Sequence, residues 1–109
     1  MAGIASTSVA STVSIAESST QGIIFNVICP LANIEYQQIL PTNTKGFVLK
    51  SRLDGELKIA YFSGDSGLLY FTVPSGTAYF DENFYTTQVL YFQSNIFNDI
   101  IEIIAYKKY

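Results

Sequence analysis

The stretch GFVLKSRLDGELKIAYFSGDSGLLYFTV, residues 46–73, decides the fold class of this chain. Apolar and polar residues alternate in it with a period of two, as they do in strands that bury one face. Asp54 and Gly55 separate the first two runs, and residues 63–67 separate the second run from the third. Both connections supply an aspartate and a glycine suited to a positive φ. We therefore interpret residues 46–73 as a meander of three antiparallel strands.

The same pattern continues on both sides of this stretch. Pro30, Pro41 and Pro74 stand at or just past strand ends, where a missing N–H breaks no ladder hydrogen bond. The isoleucines of residues 100–104 are β-branched, which favours a strand there. Seven strands are predicted, at residues 22–29, 33–40, 46–52, 56–62, 68–73, 88–94 and 99–106. This spacing is typical of a sandwich or a closed barrel, and we predict an all-β fold: a small antiparallel, jelly-roll-like β-sandwich of about seven to eight strands.

The first 21 residues differ in composition from the rest of the chain. They are rich in Ser, Thr and Ala and hold too few apolar side chains to form a core. We predict an extended N-terminal arm at residues 1–21 and a sandwich domain at residues 22–109. The arm either lies on a neighbouring subunit or adds residues 12–15 to its own domain as an edge strand. Its candidate partner contacts are Ile4, Val9, Val13 and Ile15.

Length and charge limit the class of partner. A chain of 109 residues fits one domain with a single core. Charged residues make up 14% of it, against about 25% in an average soluble domain, so much of the surface is neutral and suited to protein contacts. The net charge of −3 argues against nucleic acid as a partner. The chain has no run of 18 apolar residues, so we expect no membrane partner either.

Few residues of the chain are of the types that catalyse reactions or bind metal ions. The chain has no histidine and one cysteine, which excludes Ser-His-Asp catalysis, imidazole-ligated zinc and thiolate cages. Cys29 lies in an apolar run and is predicted to be a core residue. Two acid pairs, Asp81 with Glu82 and Asp54 with Glu56, are predicted to be solvated surface and not a glycosidase pair. Asp65, Asp81, Glu82 and Asn83 do not have the spacing of a calcium loop. We predict no enzyme, no cofactor and no metal site.

Aromatic residues are dense between residues 70 and 92 and often adjacent. Adjacent strand residues point to opposite faces, so half of each pair must point away from the core. Outward Tyr and Phe suit protein interfaces or a platform on which a sugar stacks, although tryptophan is missing. The structural alternative is that both faces are covered, with residues 74–87 folding over one side as a loop. The interface candidates here are Tyr79, Phe80, Phe84 and Tyr85.

Three stretches resemble small virion structural proteins of tailed bacteriophages. They are ANIEYQQILPTNTKGFVLKSR (residues 32–52), ELKIAYFSGDSGLLYFTVPSG (56–76) and TTQVLYFQSN (86–95). The similarity extends over residues 32–106, about two-thirds of the chain. This chain departs from the pattern at Tyr106, where the family strand often carries tryptophan, and that leaves the subtype open.

The resemblance implies a non-enzymatic β-sandwich of the virion, of the capsid auxiliary, head-fibre or tail component type. Its partners would be other virion proteins, namely capsid, fibre or tail subunits, and copies of itself in a homo-oligomer. A carbohydrate-binding or receptor-binding module that uses Tyr79 and Tyr85 is the alternative. A glycosidase that uses Asp81 and Glu82 is a second alternative, but the short loops argue against it.

Overall fold

The computed structural model describes residues 20–82 and 89–108 of the chain. These residues form eight strands and one 3-10 turn, Asp65–Gly67. The all-β prediction is therefore confirmed. The strands are β1 (Thr20–Cys29), β2 (Tyr36–Ile39), β3 (Thr44–Ser51), β4 (Leu57–Ala60), β5 (Phe71–Val73), β6 (Ala78–Asp81), β7 (Val89–Ser94) and β8 (Asp99–Lys108).

The strands form two four-stranded sheets. The first sheet has the order β1-β8-β3-β6 and the second has the order β2-β7-β4-β5. Each pairing is antiparallel, and four of the pairs are nested: β1 with β8, β2 with β7, β3 with β6, and β4 with β5. One long hairpin wrapped into two sheets gives this order, which is that of a jelly roll. The predicted sandwich architecture is confirmed.

The core lies between the two sheets and takes alternate residues from each strand. Cys29 belongs to it, as predicted, with no solvent exposure. Burial, together with the nearby charge of Asp99, raises the pKa of the Cys29 thiol to about 11. The thiol is therefore protonated at neutral pH and is not a nucleophile. The buried apolar cluster consists of Cys29, Leu40, Phe47, Leu49, Leu57, Ile59, Val73, Leu90, Phe92, Ile101, Ile103 and Ala105.

Two local predictions are wrong. The meander at residues 46–73 does not form, because β3 lies in the first sheet whereas β4 and β5 lie in the second. Residues 52–56 cross between sheets, and the left-handed residue there is Asp54, with φ 60°, not Gly55. The other error is β6, which falls inside the predicted loop at residues 74–87. It is only four residues long, and its pairing with β3 comes from tertiary context.

A buried carboxylate holds the crossings between sheets. Asp99, at the start of β8, has no solvent exposure. Its Oδ2 accepts hydrogen bonds from the hydroxyls of Ser51 on β3 and Ser94 on β7, each at 2.5 Å. Its Oδ1 accepts the N–H groups of Leu53 and Ile100, at 3.2 and 2.7 Å. Because Ser51 belongs to the first sheet and Ser94 to the second, one side chain joins both sheets.

Close packing beside this carboxylate requires a glycine at position 55. A Cβ atom on Gly55 would lie 2.7 Å from Ser94 Oγ and 2.9 Å from Asp99 Oδ2. The Gly55 N–H instead donates to Ser51 Oγ at 2.7 Å. The crossing segment thus passes so close to the serine and aspartate oxygens that no side chain fits.

We predict that Asp99→Ala destabilises the domain strongly. The substitution leaves two hydroxyls and two N–H groups without their acceptor, and each buried donor left unpaired costs about 1–3 kcal/mol. A loss of at least about 3 kcal/mol in the free energy of unfolding is expected, measured by urea denaturation. Glu56→Ala, an exposed acid on the same crossing segment, is the control and should change stability by less than about 0.5 kcal/mol. Equal stability of the two variants would contradict the account.

Candidate functional site on the outer face of the first sheet

The outer face of the first sheet carries a row of apolar side chains. Ile24 on β1 lies opposite Ile104 on β8. Ile104 in turn lies opposite Val48 on β3, and Val48 lies opposite Phe80 on β6. Their sequence neighbours point into the core, so these four point outward. Ile24 is 67% exposed and Phe80 is 53% exposed. We call Ile24, Ile104, Val48 and Phe80 the apolar row.

One flank of the apolar row is basic. Lys50 is an outward residue of β3, Arg52 follows directly after the last residue of that strand, and both reach Glu102 on β8. Arg52 Nε lies 2.6 Å from Glu102 Oε2, and Lys50 Nζ lies 3.5 Å from Oε1. The hydrogen bond from Arg52 holds the pKa of Glu102 below its usual value. Two cations share one carboxylate, so this flank carries an excess of positive charge.

The other flank carries the acidic residue Glu82, at a point where the backbone of residues 81–82 passes close to the buried Gly46. Glu82, exposed just beyond β6, lies beside Gly46 on β3 and near Tyr106 on β8. A Cβ atom on Gly46 would lie 2.6 Å from the Asp81 carbonyl oxygen, so no side chain fills this position. The Tyr106 ring packs edge-on against the Phe80 ring, with centroids 6.4 Å apart. The face therefore runs from acidic, through apolar, to basic along the strand direction.

A shallow groove lies between the apolar row and the basic flank. Its volume is about 350 Å³. Apolar side chains form one wall and charged side chains the other, so the groove suits a ligand or partner with both characters. Its lining includes Ile24, Asn26, Val48, Lys50, Arg52 and Glu102.

The outer face of the second sheet is partly covered by its own chain. The segment that joins β4 to β5 folds back over this face, where Ser66 is buried. Gln93 Nε2, on an outward position of β7, donates to Ser66 Oγ at 3.1 Å. Lys58 Nζ, on β4, lies 4.8 Å from the centre of the Tyr70 ring. The two outer faces of the sandwich therefore differ, and the face of the first sheet is the open one.

Glu35 anchors this covering segment. Its carboxylate accepts the Gly64 N–H at 2.9 Å, the Ser66 N–H at 3.1 Å and the Ser66 hydroxyl at 2.6 Å. Burial alone would raise the pKa of Glu35, but these hydrogen bonds outweigh it and hold the pKa below its usual value. The ionised carboxylate is thus the form that fixes the segment.

The same segment exposes two adjacent leucines. Leu68 and Leu69 are 81% and 79% exposed, at the end of the anchored turn. They form a small protrusion, whereas the apolar row spans four strands. Other exposed apolar side chains are spread over strands and loops: Ile28, Leu31, Ile34, Ile39, Leu53, Phe62, Tyr70, Phe71 and Phe97.

The interface residues predicted from sequence lie in different places. Phe80 is part of the apolar row, as an outward aromatic. Tyr79 is half-buried between the sheets, where its ring lies 6.0 Å from that of Phe47 and 5.0 Å from that of Phe71. Six of the predicted interface residues lie outside the described residues: Ile4, Val9, Val13, Ile15, Phe84 and Tyr85. Asn83 and the alternative edge strand at residues 12–15 lie outside them as well.

Sequence reasoning missed Ile24, Val48, Ile104 and Tyr106 as surface residues. The signal that identifies them is strand register. Period-two alternation shows that each of these side chains points away from the core. Only the pairing of β1, β8, β3 and β6 brings Ile24, Val48 and Ile104 into one row, with Tyr106 on its flank.

The acid pair Asp81 and Glu82 does not share a cleft. Adjacent residues of an extended strand point to opposite faces. Asp81 accepts a hydrogen bond from the Tyr61 hydroxyl at 2.9 Å on the inner side, whereas Glu82 lies on the outer face. Burial and the Asp81 hydrogen bond raise the pKa of Tyr61. The two carboxylates are therefore not placed to act on one substrate.

Residues 20–82 and 89–108 contain neither a metal-ligand cluster nor a membrane-spanning helix. No group of three or more Cys, Asp or Glu residues there is placed to hold a metal ion. No helix in these ranges is long and apolar enough to span a membrane.

Comparison of the chain with protein-family models, with curated proteins and with solved structures gave no match.

We predict that the amide resonances of Gly64 and Ser66 titrate with Glu35. Because the folded protein holds the pKa of Glu35 below the usual value of 4.5, the anchor is fully present above pH 4.5. It is lost as the pH falls through the lower, folded pKa. NMR titration should give a midpoint below 4.5 that Glu35→Gln abolishes. A midpoint at or above 4.5 would show that the hydrogen bonds do not favour the ionised form.

Proposed function

We propose that this protein is a non-enzymatic structural subunit of a bacteriophage virion. It assembles with other virion proteins, and with copies of itself, through the outer face of the first sheet and through its N-terminal arm. The resemblance of residues 32–106 to small virion proteins supports a location in the particle, as a capsid auxiliary, head-fibre-associated or tail component.

The observation that carries the proposal is the apolar row. Fully burying an exposed Ile, Val or Phe side chain contributes about 1.5–3 kcal/mol. Ile24 and Phe80 are more than half exposed and Val48 and Ile104 less so, so the four together form an energetically useful contact. Contiguous apolar area of this kind, bordered by charged residues, is typical of protein interfaces. The row is also rigid, since it lies on four paired strands and not on loops.

The fold is compatible with this role and with one alternative function, carbohydrate binding. Jelly rolls occur in viral capsid proteins and in lectins, so the architecture alone does not decide function. A carbohydrate-binding module would need a flat aromatic ring open to solvent beside polar groups. Tyr79, one of the two residues expected to serve, packs between the sheets. The apolar row therefore favours contact with protein.

The leucine protrusion is a smaller candidate surface than the apolar row. Leu68 and Leu69 are adjacent on one segment, whereas the apolar row takes side chains from four paired strands. A rigid, flat face with charges on both flanks is better suited to a subunit that occupies one fixed orientation in a particle.

We predict that Ile24→Lys leaves the domain folded but prevents its incorporation into particles. Ile24 is 67% exposed, so lysine is tolerated in the free protein and opposes burial in the assembly. The matched control is Ile39→Lys, at a strand position 62% exposed on the second sheet. Phage particles that lack the protein are mixed with each purified variant and sedimented. Normal sedimentation of Ile24→Lys with the particles would exclude the apolar row as the contact.

We also predict that deleting residues 1–19 leaves the sandwich folded and abolishes incorporation. The deletion ends before β1, so it removes none of the eight described strands. Circular dichroism and thermal unfolding test the fold, and the same sedimentation assay tests assembly. An arm-less protein that enters particles normally would contradict the role of the arm.

A further inference from the structure

The flanks of the apolar row are arranged with opposite chemistry at equal distances. On β3, the residue two positions before Val48 is Gly46 and the residue two positions after it is Lys50. On β8, Tyr106 and Glu102 stand in the same relation to Ile104. Strand register places Gly46 beside Tyr106 on one flank, and Lys50 beside Glu102 on the other.

A two-fold axis along the apolar row would exchange these flanks. Rotation about an axis that runs parallel to the row, above it in the plane of contact, places the row of one copy against the row of the other. It also places the Gly46 flank of each copy against the Lys50 flank of the second copy. Isologous contacts of this kind are the commonest in soluble homo-oligomers.

The exchanged flanks match chemically. Lys50 of the second copy comes over Gly46, and the exposed Glu82 lies beside Gly46. Glu102 of the second copy comes to Tyr106, whose hydroxyl is able to donate to a carboxylate. Lys50 and Glu82 therefore meet as opposite charges at both symmetry-related ends of the contact.

We propose that two copies of this chain pair face to face through the first sheet, with their apolar rows in contact across a two-fold axis and Lys50 of each copy against Glu82 of the other. This inference deepens the proposed function and rests on its assignment of the same face to assembly. It names a second copy of the chain as the partner.

The size of the face indicates a weak dimer. Four strands about 4.8 Å apart and eight residues rising about 3.4 Å each give a plane area of roughly 500 Å². A standard interface buries about 800 Å² per partner. The pair therefore falls at the small end of specific interfaces, and its formation should depend on protein concentration. Since charge pairs orient it, the pair should also weaken with added salt.

Charge exchange tests this arrangement with the full-length protein. Glu82→Lys sets two ammonium groups against each other at both symmetry-related contacts, and Lys50→Glu sets two carboxylates against each other there. Each single variant should raise the dimer dissociation constant by about tenfold or more, measured by sedimentation equilibrium at low salt. An equimolar mixture of the two single variants should dimerise again, because the mixed pair removes the repulsion between like charges. The Lys50→Glu/Glu82→Lys double variant should dimerise by itself.

Glu56→Lys is the matched control. It makes the same change of net charge as Glu82→Lys at an exposed position on the crossing segment, and it should leave the dissociation constant unchanged. Restored dimerisation in the mixture also excludes misfolding as the reason why either single variant alone fails to dimerise.

Three results would overturn the inference: a wild-type protein that stays monomeric at the highest soluble concentration, a Glu82→Lys variant that associates like wild type, or a mixture that does not dimerise again. The proposed function is tested separately by sedimentation of the same variants with particles. A monomeric wild-type protein whose particle binding is lost in Ile24→Lys would contradict the two-fold pair and leave the virion role standing.

Discussion

The carboxylate of Asp99 is the interaction on which the rest of the sandwich depends. It accepts hydrogen bonds from Ser51 in the first sheet and from Ser94 in the second, without contact with solvent. Two of the segments that cross between sheets, residues 52–56 and 95–98, are thereby held at one end of the molecule. A buried carboxylate is stable only when its oxygens are satisfied, so four donors must converge on it. This requirement fixes the relative position of β3, β7 and β8, and with it the register of the first sheet.

That register has a functional consequence, because the two outer faces of the sandwich differ in how far the chain itself covers them. On the second sheet, Glu35 and Gln93 hold the segment after β4 against the outward side chains. On the first sheet, pairing places Ile24, Ile104, Val48 and Phe80 side by side in the open. Exposed apolar area is unfavourable in water, so an uncovered row on a rigid sheet is best explained by a partner that covers it. Under the proposed function, the charges of Glu82 on one flank and of Lys50 and Arg52 on the other would orient a partner on this face.

Much of this fold is predictable from the sequence, and the missing part is long-range. Alternation identifies both β3 and β4 as strands, yet their assignment to one meander is wrong. The turn after Ser51 looks local, but its geometry is set by Asp99, which lies 48 residues away along the chain. Likewise β6 is too short to be distinguished from a loop without its partner β3. The candidate site shows the same limit: Phe80 is recognisable as an outward aromatic, whereas Ile24 and Ile104 become neighbours only through the β1–β8 pairing.

The measurement that tests the central claim most directly is hydroxyl-radical footprinting of the protein, free and bound to phage particles. The open face of the first sheet should become protected on binding, at Ile24, Phe80 and Tyr106. Leu68 and Leu69, which are more exposed in the free protein, provide an internal control and should remain reactive. Protection of the two leucines with unchanged reactivity of Ile24 and Phe80 would contradict the account, because it would place the contact on the second sheet.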